Sequence, residues 1–236
     1  MLMHISDGII DAPWSAVFGL LALAGISVCA LKARDELDEK TAPMAGLVAA
    51  FIFAVQMLNF AVLPGVSGHL LGGALAAILV GPYIGALCVS VVLVVQALLF
   101  ADGGLSALGL NVFNMALVTA FVAALLIRGF LRVLPVNKAT FSVSSFVTAL
   151  VSVLAGSAMF VLQYWLGGTL NLSLETIASL QLGYHLLIGV GEGIITAITV
   201  WTVAEVRPDL VWALRKAGYR GNQPAPVEKT AVGGAA

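Results

Sequence analysis

The chain has 236 residues, 61% of them hydrophobic and only 10% charged, with a mean hydropathy of +1.06. A soluble domain is about a quarter charged, so this composition excludes an ordinary cytosolic enzyme, a disordered chain and a nucleic-acid binder. Eleven Lys and Arg against twelve Asp and Glu leave a net charge of -1, which offers no field for a polyanion. The implied solvent is the bilayer.

Residues 1–12 contain no Lys or Arg, which is unlike a cleavable signal peptide, and read as an extracellular segment. The charge-free stretches 13–31, 43–63, 103–127 and 139–166 each suffice for the ~20 residues of a transmembrane helix, and 182–204 makes another, interrupted only by Glu192. The run 69–100 is too long for one span and is split at Gly81-Pro82, where proline breaks or kinks a helix. A third segment over 62–80 carries Pro64, Gly65, Gly68, Gly72 and Gly73 toward one end, so its regular helix is expected only from near His69. Non-helical backbone at that depth is tolerated where it packs in protein or lines a cavity. Cys29 and Cys88 sit in apolar runs without CxxC spacing and read as small core residues. The chain therefore divides into the segment 1–12, a transmembrane domain over 13–205 and a tail over 206–236 that is expected to be cytoplasmic and disordered from about Tyr219.

Loop charge sets the number of crossings. With the break at Gly81-Pro82 counted as two crossings, one side receives Lys32, Arg34 and Lys40, then Arg128, Arg132 and Lys138, then Arg207, Arg215, Lys216, Arg220 and Lys229. The other side receives Asp7, Asp11, Asp102 and Glu175. The expected fold is thus an all-α integral membrane protein of about seven transmembrane helices, the third short and broken, with the N-terminus outside and the C-terminus cytoplasmic.

Polar side chains in a bilayer face the bundle interior or a site. Gln56, Asn59, Gln96, Asn111, Asn114 and Gln163 all fall in the outer halves of the assigned spans. Gln56 and Asn59, and Asn111 and Asn114, are at i,i+3 spacing and share a face. Interhelical hydrogen bonding accounts for any one of them, but less readily for their collection on one side. All three histidines join them: His4 before the first span, His69 at the outer start of the third, and His185 at the outer start of the seventh. Histidines from distant parts of the sequence, on the acidic side, point to capture of a cation from outside. Glu192 lies one stripe below His185, roughly 10 Å inward at the helical rise; it is either held by a neighbouring helix or acts as a supporting or gating carboxylate near the site.

The dipeptide Met3-His4 adds specific chemistry. In a mature chain beginning at Met3, the free amine, the His4 amide nitrogen and His4 Nδ1 chelate one metal through fused five- and six-membered rings, and His69 is available as a fourth nitrogen. Such a set suits Ni2+, Cu2+ or Co2+ better than Mg2+ or Ca2+.

The stretches "MHISDGIID" at 3–11, "GHLLGG" at 68–73, "ADGGLSALGLNVFNMA" at 101–116 and "HLLIGVGEGIIT" at 185–196 resemble, in order, the CbiM/NikM family of substrate-capturing components of energy-coupling-factor transporters for cobalt and nickel. The resemblance implies a seven-helix protein of the cell membrane whose N-terminal segment dips into the bundle from outside. It implies Met3, His4 and His69 as ligands of a transported Co2+, for cobalamin synthesis, or alternatively Ni2+. Asn59, Asn111 and Asn114, with His185 and Glu192 near them, would hold the N-terminal loop and the imidazoles. The start differs from the family pattern, because Met1-Leu2 precede Met-His.

The sequence contains no GxxxxGK[ST] phosphate loop. The resemblance implies that ATP hydrolysis belongs to two cytoplasmic ATP-binding subunits, acting with a coupling transmembrane subunit and a small accessory membrane protein. Ala42, Gly46, Ala50 and Ala54 form a small-xxx-small stripe on the second span, suited to close packing on the coupling subunit or within the bundle. A competing reading takes GVSGH (Gly65 to His69) as the GxSG motif of rhomboid-like intramembrane proteases, with Ser67 as nucleophile and His185 as base. It leaves Met3-His4 and the asparagines without a purpose.

Overall fold

The computed structural model describes residues 4–57, 59–63 and 66–219, with backbone alone for 59–63 and 66–68. The expectations placed on Met3, on Pro64 and Gly65 and on the tail from residue 220 lie outside the described residues, as do the side chains of Asn59 and Ser67.

The chain folds as an all-helical multi-pass bundle with five helices long and apolar enough to cross a membrane. They are α1 (Ala12–Ala33), α4 (Pro82–Leu99), the continuous helix Leu108–Val133, α7 (Lys138–Gly167) and α8 (Leu174–Val206). Two shorter apolar helices join them, α2 (Thr41–Gln56) and α3 (Gly73–Val80). Leu20, Leu23, Leu99, Leu125 and Leu187 are exposed, whereas Gln56, Gln96, Gln163 and Ser145 are buried. Water would reject that arrangement and hydrocarbon favours it.

Local sequence sets the helix ends. Asp11 accepts from the Trp14 amide at 2.9 Å and caps α1 ahead of Pro13. Asn137 and Thr140 form a reciprocal capping box on α7, and Ser173 accepts from the Thr176 amide to start α8. The helix Leu108–Val133 comprises α5 (Leu108–Asn111), a π-helical stretch (Val112–Val118) and α6 (Thr119–Val133). π-helical turns recur at functional sites, and this one carries Asn114 and Met115.

The second and third segments depart from expectation. The helix expected over 43–63 stops at Gln56, and the chain forms an antiparallel hairpin of β1 (Asn59–Leu63) and β2 (Val66–His69), with Asn59 opposite His69. Phe60, Val62 and Leu63 are strand formers, and a residue ahead of Pro64 is biased toward extended backbone. The Pro-Gly dipeptide is a turn signal between them. A paired hairpin also satisfies its own backbone groups, which low-dielectric surroundings demand. The third helix begins at Gly73 rather than near His69, after Gly72 with φ 79°.

All eight residues of α3 are buried, so the short broken helix is the axis around which α4, α6, α7 and α8 pack. It joins α4 through Gly81, φ 93°, at the break expected there, and Pro82 opens α4. At that same end the chain turns back after α8 through a 3-10 turn (Pro208–Leu210) into α9 (Trp212–Lys216). Trp212 and Leu214 are buried there, so the start of the expected tail belongs to the fold.

Close backbone contacts give the packing a direct test. A Cβ on Gly109 would lie 2.4 Å from the Gly19 Cα of α1, whereas one on Gly129 would meet nothing within 4 Å. Gly109→Ala is expected to cost about 1–3 kcal/mol through overpacking, and Gly129→Ala to be neutral or to stabilise by up to about 1 kcal/mol through helix propensity. Thermal unfolding of the two variants in detergent checks the contrast.

Candidate metal centre

The N-terminal segment lies against the bundle without regular structure, so its backbone groups need partners from elsewhere. The Asn111 side chain supplies two: Ile5 N–H donates to Asn111 Oδ1 at 3.1 Å, and Asn111 Nδ2 donates to the Ile5 carbonyl at 3.2 Å. The Gly104 amide also donates to the Ile5 carbonyl at 3.0 Å. Further along, Thr169 N–H donates to the Ile9 carbonyl and Asp11 N–H to the Gly167 carbonyl, at 3.1 and 2.7 Å. Asp7 accepts from the Ser106 amide at 2.7 Å and from its hydroxyl at 2.5 Å. The Ser106 hydroxyl is the chief reason the Asp7 carboxyl is held below its ordinary pKa.

This stapling places His4 in the interior. The ring is buried, with its centroid 4.7 Å from that of His69 in an edge-on arrangement. His4 Nδ1 stands 3.3 Å from Asp102 Oδ1, with both side chains buried. His69 Nδ1 lies 2.9 Å from the Leu70 carbonyl; a proton on that nitrogen is donated there and leaves Nε2 with the lone pair a metal needs. His185 Nδ1 is placed likewise, 2.8 Å from the Gln181 carbonyl. His4, His69 and His185 line one cavity of about 40 Å³ together with Asn111, Asn114, Met115 and Gln181, a volume on the scale of an ion with very few waters.

The remaining polar residues of the sequence reading have distinct partners. Asn114 and Gln163 exchange reciprocal amide hydrogen bonds at 2.7 and 2.8 Å, which join the π-helical stretch to α7 beside the cavity. Glu192 accepts from the Leu71 amide at 2.6 Å and the Gly72 amide at 3.0 Å. It therefore touches the backbone immediately after His69. Gln56 donates to the Leu71 carbonyl at 2.8 Å and holds the same stretch from the other side. Asn59 is carried by the hairpin to the register position facing His69. Ala42, Gly46, Ala50 and Ala54 are all exposed on α2, on the face opposite its buried residues Met44, Val48 and Ile52.

Sequence reasoning assigned Asp102 only to the acidic side and missed its contact with His4. A signal was present in Asp102-Gly103-Gly104. Ala101 has φ 51° and Gly103 φ 88°, a tight backbone path of the kind that marks functional turns. A Cβ on Gly103 would lie 2.7 Å from His4 Cβ, and one on Gly104 2.2 Å from the Asp7 amide nitrogen. Only bare backbone leaves room for the N-terminal segment. Among the described residues, no three His, Cys, Asp or Glu side chains are grouped to hold a metal ion.

Asn111→Ala removes both bonds to Ile5 and leaves its peptide group without them. At about 1–3 kcal/mol for such a loss, hydrogen exchange of the Ile5 amide is expected to quicken by about fivefold to about a hundredfold while the amides of α7 stay protected. Exchange measured by mass spectrometry on the variant decides it, and an unchanged Ile5 rate would mean that Asn111 does not hold the segment.

The chain has relatives among known proteins. Residues 4–210 match the family CbiM, described as the cobalt uptake substrate-specific transmembrane region. A putative fused nickel transport protein NikMN of Archaeoglobus fulgidus is 36% identical over 209 residues, covering 89% of this chain and 68% of that protein. The cobalt transport protein CbiM of Sorangium cellulosum is 30% identical over 224 residues, covering 89% of this chain and 94% of that one. A crystal structure of a transition metal transporter superposes with a TM-score of 0.76 at 30% identity, over 93% of this chain and all of that one. The family consists of transport components and not of enzymes, which sets aside the protease reading of Ser67 and His185. The chain belongs to the CbiM family, as a multi-pass transmembrane component of transition-metal uptake, cobalt or nickel.

Proposed function

We propose that the chain captures Co2+ at the outer face of the membrane and delivers it inward as the substrate-binding component of an ATP-driven energy-coupling-factor transporter. The observation that carries this reading is the meeting of His4 and His69 at one small cavity, each borne on a non-helical segment pinned from behind through its backbone. The ligand set combines His69 Nε2 with His4 Nδ1, the His4 amide nitrogen and the amine of a mature chain beginning at Met3. Main-chain nitrogens thus supply what the side chains do not. Binding through His4 Nδ1 exchanges the Asp102 contact for a metal–nitrogen bond, so Asp102 aligns the ring for the incoming ion. Asn111 and Glu192 fix the two segments, Asn114 braces the cavity wall through Gln163, and His185 lines the cavity.

Nickel is the second reading. The same nitrogen donors bind Ni2+ at least as tightly as Co2+ by the Irving–Williams order, and the Archaeoglobus fulgidus relative is named for nickel. The matching family's description favours cobalt. Loop charge supports an outside N-terminus and a cytoplasmic Lys/Arg-rich end. There two ATP-binding subunits and a coupling subunit, with a small accessory membrane protein, would supply the work of release. The exposed stripe Ala42, Gly46, Ala50 and Ala54 suits close packing on the coupling subunit. Partner movement would part the His4 segment from His69 and open the site inward.

Equilibrium binding to the purified chain tests the capture step. His4→Ala and His69→Ala are each expected to weaken Co2+ or Ni2+ binding by about a hundredfold or more, Asp102→Asn by about tenfold to a hundredfold, and Ser67→Ala to leave it unchanged. Vesicle uptake is expected to require the partner subunits. Tight binding retained in both histidine variants would overturn the site, and uptake by this chain alone at the rate of the full complex would overturn the assignment of energy to the partners.

A further inference from the structure

The Lys/Arg-rich end of the bundle holds a second cavity, remote from the histidines. It is a cleft of about 240 Å³ between the last turns of α6 and α9, lined by Arg128, Leu131, Arg132, Ala213, Lys216 and Ala217. Every charged side chain lining it is cationic. At the same end, Lys40 and Arg207 pair with Asp209, and Lys138 with Glu205. Among the described residues, Arg128, Arg132 and Lys216 have no carboxylate within 4.0 Å.

Two features make this arrangement more than a solvated charge cluster. Arg128 and Arg132 stand at i,i+4 on one face of α6, a spacing at which like charges destabilise a helix unless an anion lies between them. Arg128 is also held in place, with its guanidinium 4.5 Å from the ring of the buried Trp212. Stacking on an aromatic face orients the fork and leaves its N–H donors available for phosphate oxygens.

The same face of α6 identifies the source of the phosphate. Continuing from Arg132 and Arg128 toward the middle of the bundle, it presents Leu125 and Phe121, both exposed. A ligand seated here meets three cations at its head and an apolar stripe along its length. We propose that this cleft binds the headgroup phosphate of an anionic phospholipid, with the acyl chains lying along Leu125 and Phe121. The site is independent of the metal reading and shares no residue with it.

Binding is measured on the full chain in neutral detergent by native mass spectrometry and by thermal shift, using phosphatidylglycerol, phosphatidylcholine and inorganic phosphate as probes. Phosphatidylglycerol is expected to bind and to raise the melting temperature, and the other two to do neither. Each charge near such a surface is worth about a fivefold change in affinity. Lys216→Gln, an exposed change at the chain's surface, should therefore weaken phosphatidylglycerol by about fivefold. The triple variant Arg128→Gln, Arg132→Gln, Lys216→Gln should weaken it on the order of a hundredfold, and Lys138→Gln should not change it. Equal binding of phosphatidylcholine, inorganic phosphate bound as well as the lipid, or phosphatidylglycerol affinity unchanged in Lys216→Gln would each overturn the proposal.

Discussion

The paired hydrogen bonds between the Asn111 amide and the Ile5 peptide are the constraint on which the site depends. They join positions 106 apart in sequence in a buried setting. An irregular segment inside a membrane bundle is tolerable only when each of its backbone groups finds a protein partner. Asn111 and Gly104 serve Ile5, Thr169 serves Ile9 and Gly167 serves Asp11. Together with the buried side chains of Ile5, Ile9 and Ile10, they hold the segment against the bundle and His4 beside His69.

Glu192 does for the second histidine segment what Asn111 does for the first. One long helix sends a side chain to grip the main chain next to a histidine and leaves the imidazole to other contacts. A carboxylate accepts two backbone N–H groups, where a carboxamide both donates and accepts; each clamp therefore matches what its segment offers. The Leu71 and Gly72 amides both point donors at α8, whereas Ile5 presents one donor and one acceptor to Asn111. The Asn114–Gln163 pair adds a joint between two helices, made side chain to side chain, beside the same cavity.

Much of this was legible in the sequence because it is written in local pattern. The apolar runs, the break at Gly81-Pro82 and the gathering of Asn, Gln and His toward one end follow from hydropathy and helical spacing. Placement of His4 near His69 was anticipated only through chain order and a family resemblance. What sequence did not disclose depends on long-range pairing. No local rule joins His4 to Asp102, or Glu192 to the Leu71 amide, since their separation in sequence is large. The hairpin at 59–69 was hidden for another reason. Its apolar residues continue the run of α2 without a charge, and hydropathy does not distinguish a strand from a helix there; Pro64-Gly65 was the available clue.

The limited burial of α1 carries a mechanical consequence. This helix buries only Ser15, Phe18, Ala22, Cys29 and Ala33, and presents Leu20, Leu23 and Leu31 outward. Its first turn is fastened by Asp11 and Pro13 directly to the stretch that ends at His4. Its tilt is set by what it packs against, and that seat is narrow: the Gly19 backbone comes so near Gly109 that a Cβ there would lie 2.4 Å away. The first helix is thus joined to the bundle along one seam and gives most of its circumference to the acyl chains, so the N-terminal segment takes its position from that seam.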